Sequence, residues 1–210
     1  MLILGAGGFA NQVLFAMQRM DATLNPAFFC DPEFQVDTHL NQQFKLLRSV
    51  QLAKHYLETV DNRFCLGTGV RTNRAEMCER FEKIGGTLTS VIDPSAVLPT
   101  GLLNNLSGVI CLAQAIVEPT CSIGKGVILN LGSMVTHQVS VGDFAEIGPG
   151  VKLLGKSKVG TQSFLGAGSI VLPGVKIGDF VTVGAGSVVT KDLPNGVMAY
   201  GNPARIVTRK

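Results

Sequence analysis

The sequence predicts two domains in succession: a small α/β unit with a parallel sheet over residues 1–90, then an all-β parallel β-helix over residues 91–192, with a tail at 193–210. Three observations carry this. An aliphatic residue returns at every sixth position from Ile123 to Val189 without a miss. A glycine-rich turn, Gly5-Ala6-Gly7-Gly8, interrupts an apolar start and opens an amphipathic stretch. Apolar residues make up 46% of the chain and charged residues only 16%, with 25 Gly and no Trp, a balance that suits short strands joined by tight turns.

In the first domain the pattern places strands at Leu2 to Leu4, Ala27 to Cys30, Arg63 to Leu66 and Thr87 to Val91, with helices at Phe9 to Met20, Val50 to Leu57 and Arg71 to Ile84. Alternating strands and helices give a parallel sheet. The segment from Gly5 to Ala10 reads G-x-G-x-x-A at a strand-to-helix turn. Glycines there let the backbone approach a diphosphate, and the helix N-terminus favours the negative charge. Asp31 closes the second strand, where an acid can accept hydrogen bonds from a ribose or a base, and Gly67-Thr68-Gly69 makes a second turn after the third strand. Two readings stay open, a nucleotide-linked ligand or glycines that simply make tight turns. About 90 residues hold only one mononucleotide-binding half, which disfavours a nicotinamide enzyme.

In the second domain the sixfold series runs through Leu129, Val135, Val141, Ile147, Leu153, Val159, Leu165, Val171, Ile177 and Val183. Four positions after each stands a small or β-branched residue, from Val127 and Ser133 to Ser187. One bulky and one compact inward residue per hexad define a wall and a corner. Ile123, Val141, Val159 and Ile177 are each followed by Gly, as are Ile147, Leu165 and Val183, so three hexads make one turn of a triangular prism. Such a stack needs caps. The irregular stretch from Ser95 to Val109 serves at one end, and V-T-K-D-L-P-N-G followed by G-N-P-A-R-I-V at the other.

A formal charge of +3, spread without runs of Lys or Arg, disfavours nucleic-acid binding. The five cysteines form no C-x-x-C pair, which reads as reduced thiols in a cytoplasmic protein. Neither a signal peptide nor a membrane span is expected. His137 is the one histidine of the repeat and lies between inward Val135 and Val139, so its ring points outward. One coil further on, the matching residue is Gly155, leaving a bare shelf above the imidazole. A solitary histidine with no cysteine pair nearby predicts no metal.

Together, GAGGFA, the Asp31-Pro32 pair, GVILN-x-x-S-x-V-x-H at Gly126 to His137, VGAGSVVTKD and G-N-P-A-R resemble the sugar O-acyltransferase and sialic acid O-acetyltransferase family, and within it the nucleotide-linked 4-amino-sugar N-acetyltransferases. The resemblance implies a Rossmann-like first domain and a left-handed β-helix. It implies acetyl-CoA as co-substrate and a nucleotide-linked sugar as acceptor. His137 would be the general base, suited to the task because imidazole titrates near neutral pH. Gln138 would orient it, where the family usually has Glu or Asp. The nucleotide would bind at Gly7, Gly8, Phe9, Asp31, Pro32 and Gly67, with Asn130 helping to orient the substrate. Coenzyme A would contact Glu146, Gly155, Ala167 and Ala185, largely through backbone atoms, although position 146 is often His in the amino-sugar enzymes. The resemblance further implies a homotrimer with its active sites between subunits. The expected activity is N-acetylation of the 4-amino group of a nucleotide-linked amino-deoxy sugar for surface glycans. O-acetylation of sialic acid or another glycan sugar, and a non-catalytic nucleotide-binding trimer, are the alternatives.

Overall fold

The structure is a computed structural model that describes residues 1–34, 36, 42–69 and 71–207. The chain divides into two compact units, Met1–Pro94 and Ser95–Lys210.

The first unit is built on a parallel sheet of β1 (Leu2–Leu4), β2 (Ala27–Phe29), β3 (Leu46–Leu47), β4 (Arg63–Leu66) and β5 (Thr87–Leu88), in the order β3-β2-β1-β4-β5. The central strand is wholly apolar and fully buried, as a strand covered on both faces must be. Helix α1 (Gly8–Met20) buries Ala10, Val13, Leu14 and Met17, one stripe at helical spacing. Helix α2 (Val50–Thr59) begins at Ser49, whose side chain accepts a hydrogen bond from the Leu52 N–H. Helix α3 (Arg71–Lys83) sends Phe81 between Phe29 and Phe64, with ring centroids 4.8 and 5.8 Å away.

Two expectations need correction. Sequence patterning misses β3, a two-residue strand at the sheet edge whose side chains are too few to show a period. The single strand expected from Thr87 to Val91 is instead β5 followed by a separate β6 (Val91–Ile92), divided at Thr89 and Ser90.

In the second unit two-residue strands recur with the hexad. One sheet contains Ile110–Cys111, Ile128–Leu129, Glu146–Ile147, Phe164–Leu165 and Thr182–Val183; a second contains Ile116–Val117, Met134–Val135, Lys152–Leu153, Ile170–Val171 and Val188–Val189. The third contains Ser122–Ile123, Ser140–Val141, Lys158–Val159 and Lys176–Ile177. All these pairings are parallel and join residues one coil apart, such as Met134 to Ile116 and Lys152. The bulky inward series from Leu129 to Val189 is buried, and so is the compact series from Val127 to Ser187.

The corners obey a rule that hydrophobic patterning does not reveal. A positive φ recurs at every sixth residue, at Gly108, Gln114, Thr120, Gly126, Gly132, Gln138, Phe144, Gly150, Lys156, Gln162, Gly168, Gly174, Phe180 and Gly186. Half of these left-handed corners are not glycine, so the coil holds ordinary residues in a conformation they disfavour. The stacked backbone compensates. Corner N–H groups donate to the coil below, as Phe144 does to the Lys125 carbonyl at 2.7 Å and Lys156 to that of His137 at 3.0 Å.

At one end the first coil is abbreviated: Val97 bridges to Ile116, and the short helix Thr100–Leu103 replaces a wall. At the other end the chain does more than trail off. Met198–Gly201 pairs in parallel with Thr182–Val183, then turns back on itself as an antiparallel hairpin with Ala204–Val207.

Candidate functional site

Each unit presents one distinctive arrangement of residues. In the first, a cavity of about 300 Å³ is lined by Gly5 to Phe9, by Gly67 to Gly69, and by Phe29, Asp31, Phe34, Asn73 and Met77. Five of the residues assigned to the nucleotide from sequence, Gly7, Gly8, Phe9, Asp31 and Gly67, line it; Pro32 does not.

The glycines divide by what a side chain would meet. A Cβ on Gly5 would lie 2.5 Å from the Gly67 carbonyl oxygen, at a φ of 125°, and one on Gly67 would run into Ile3 and sit 3.3 Å from the Ala10 Cβ. These two glycines allow the two turns to touch. A Cβ on Gly7 or Gly8 would meet nothing within 4 Å. Gly7 stands at the N-cap of α1 in extended conformation and has no side chain of its own with which to cap the first helical turn. A helix start of this kind, bordering a cavity, suits an anion.

Asp31 is not a lone acceptor. Arg80 grips it with two hydrogen bonds of 3.0 and 3.1 Å and lies over the Phe29 ring at 5.5 Å. No local pattern points to this partner, which is 49 residues away on α3. It fixes the carboxylate plane while leaving each oxygen a further lone pair to offer.

In the second unit His137 stands outward with 63% of its side chain exposed. Its ring fills the space above it: at Gly155 the atoms nearest to a built Cβ are all imidazole atoms, with Cε1 at 2.8 Å, Cδ2 at 3.1 Å and Nε2 closer still. Gly155 differs in this from Gly142 and Gly160, whose missing Cβ makes room for the backbone of the next coil. The bare shelf is the seat of the ring.

The side chain that touches the ring is one the sequence reading overlooked. Glu118, on the preceding coil, has Oε2 2.7 Å from the His137 backbone N–H and 3.3 Å from Nδ1. Gln138 is a corner residue with a φ of 60°, and its N–H donates to the Thr120 hydroxyl at 3.2 Å. The signal for it is spacing: Glu118 precedes His137 by one coil plus one residue, an offset that joins contacts across a corner and not along a wall.

The remaining assigned positions lie elsewhere on the coil. Asn130 is buried, and its side-chain oxygen accepts from the Leu131 N–H at 2.8 Å. Ala167 and Ala185 are exposed and one above the other, with the Gly186 N–H donating to the Ala167 carbonyl at 2.8 Å. They sit at the corner between the first and second sheets, whereas His137 and Gly155 sit at the corner between the second and third. Glu146 lies on the flat wall of the first sheet, between Ile128 and Phe164.

Four of the five thiols are buried, and the fifth, Cys121, is half-buried. Burial pushes Cys65 up to about 12, and it also raises Cys30 and Cys121 above the ordinary thiol value. Among the described residues, no helix is long and apolar enough to cross a membrane.

Residues 156–191 match the family described as bacterial transferase hexapeptide (six repeats). Over 99% of its length the chain is similar to 96% of the perosamine N-acetyltransferase PerB from Caulobacter crescentus, solved with CoA and GDP-perosamine, at a TM-score of 0.88 and 29% identity. Two further structures of that enzyme, in the same complex, carry a replacement of one histidine. The acetyltransferase domain of PglB from Neisseria gonorrhoeae, solved with acetyl coenzyme A, shares the fold at a TM-score of 0.84 and 24% identity, with 98% of each chain covered. WeeI from Acinetobacter baumannii shares it at 0.83 and 23%, again over 98% of each chain. The second unit thus has a hexapeptide-repeat transferase fold.

Proposed function

We propose that the chain is an acetyl-CoA-dependent N-acetyltransferase acting on the 4-amino group of a nucleotide-linked amino-deoxy sugar, in the synthesis of surface glycans. The observation that carries this reading is likeness, over 99% of this chain and 96% of the other, to an enzyme solved with CoA and a nucleotide-linked amino sugar. The first unit then acts as a Rossmann-like nucleotide-sugar-binding domain, supported by its strand order and by the open helix start at Gly7. The second is the catalytic left-handed β-helix.

The chemistry requires little of the protein. The sugar amine attacks the thioester carbonyl, the new C–N bond forms, and the C–S bond breaks to release the coenzyme A thiolate. His137 takes the amine proton at Nε2 and passes it to the leaving sulfur or to solvent. Holding amine and thioester together supplies the larger share of the rate. Ala167 and Ala185 present a smooth exposed edge on which the coenzyme can lie against the backbone.

That edge and His137 occupy different corners of one prism. A homotrimer, in which the His137 corner of one copy faces the alanine edge of the next, would complete the site, and we include it in the reading. A cytoplasmic setting is included too, in keeping with free thiols at all five cysteines.

The test is a panel of UDP-, dTDP- and GDP-linked 4-amino-4,6-dideoxy sugars, with free sialic acid alongside. Coenzyme A release would be followed together with the acetyl mass gain on the acceptor. Acetylation of an amino-sugar nucleotide is expected. Turnover of sialic acid alone would overturn the choice of acceptor in favour of O-acetylation, and binding without any turnover would favour a non-catalytic trimer.

A further inference from the structure

We infer that Glu118 is the positioning residue that fixes the tautomer and orientation of His137, in place of an acid next to it in sequence. The inference rests on the reading of His137 as the base. An ionised carboxylate can only accept hydrogen bonds, so the ring nitrogen beside Glu118 Oε2, which is Nδ1, must carry its proton. In the neutral ring the lone pair is then on Nε2, the atom the reaction uses and the one set against Gly155.

The same oxygen accepts the His137 backbone N–H at 2.7 Å, so Glu118 is tied to the residue it orients and not only to its ring. Its own backbone N–H donates to the Val135 carbonyl at 2.8 Å, which sets the coil offset. The other groups around this corner do not compete for Nδ1. The Cys121 thiol donates to the Thr136 carbonyl at 3.0 Å, the Thr120 hydroxyl accepts from the Gln138 N–H, and Lys156 is exposed and meets His137 through its backbone N–H.

When Nε2 accepts the amine proton the ring becomes a cation, and Glu118 is the charge that faces it. Gln138 is neutral and engaged as a corner. The acid that relatives are expected to carry beside the histidine is therefore delivered from the preceding coil.

The experiment has two parts. Histidine nitrogen-15 spectra of the intact protein, with the His137 signals assigned by their loss in His137→Ala, report the tautomer directly. A neutral ring protonated at Nδ1 is expected; a ring protonated at Nε2 overturns the inference with no need for a Glu118 variant. Steady-state kinetics of Glu118→Gln, which keeps an acceptor oxygen but removes the charge, should show kcat lowered about tenfold to a hundredfold with KM nearly unchanged. A kcat within twofold of the parent, with the nitrogen spectrum unaltered, overturns it. The underlying reading fails separately, if His137→Ala retains turnover.

Discussion

Two glycine sites in this molecule make opposite use of a missing side chain. At Gly7 and Gly8 the space a Cβ would take is empty, and it borders a cavity at the start of a helix. At Gly155 the space is already taken by the protein's own imidazole. An open glycine holds a place for something that arrives; a filled one holds a group in position. The two therefore differ in which kinetic constant a side chain there will damage, a distinction that sequence, which records only glycine, does not convey.

The sharpest way to break the comparison is Gly155→Ala. The added methyl collides with the ring and not with the backbone, so the ring must swing out towards solvent while the coil stays intact. We expect kcat to fall about a hundredfold with the melting temperature retained, as measured by steady-state kinetics and thermal unfolding. A parental kcat would mean that the seat of the ring is irrelevant to catalysis. Gly7→Val probes the other side. The backbone there, at φ −105° and ψ −165°, suits any residue, so the fold should be kept. The KM for the nucleotide sugar should rise about tenfold with kcat at saturation close to the parent's, the pattern of lost uniform binding. An unchanged KM would remove Gly7 from the ligand site.

Smaller effects test the scaffold that holds the filled site. The buried hydroxyl of Ser157 has no hydrogen-bond partner among the described residues. Ser157→Ala should therefore leave the coil more stable by about 1 kcal/mol in urea unfolding, and a loss of stability would show that the hydroxyl has a partner after all. Phe180 occupies a left-handed corner at a φ of 57° with 54% of its surface exposed. Asn tolerates that conformation better, so Phe180→Asn should raise stability by about 0.5 kcal/mol. A drop would mean that the ring is covered by something outside this chain.

Walls were easier to read from sequence than contacts. Every inward position from Leu129 to Val189 follows from the sixfold period, because burial acts on each hexad alike. The outward direction of His137 and its alignment with Gly155 follow from the same count. The Glu118 contact does not, since it depends on a diagonal across a corner, with an offset set by hydrogen bonds between coils. The pairing of Asp31 with Arg80 is hidden for a related reason: it joins a strand end to a helix whose facing residues are known only once the sheet is assembled. The divided glycine loop is legible in part. Its composition announces a close approach, but only the folded backbone separates Gly5 and Gly67, which need the space for each other, from Gly7 and Gly8, which do not.

The hairpin of Met198–Gly201 and Ala204–Val207 also makes the molecule finite. A stack of identical parallel coils has no inherent last member, and its final edge is a template for the next coil of another chain. By reversing direction, the hairpin closes that edge on one sheet with an antiparallel strand that no hexad can continue. Chains cut short after Val189 would keep the walls and the His137 corner but lose this terminator, and they would be prone to join end to end as filaments.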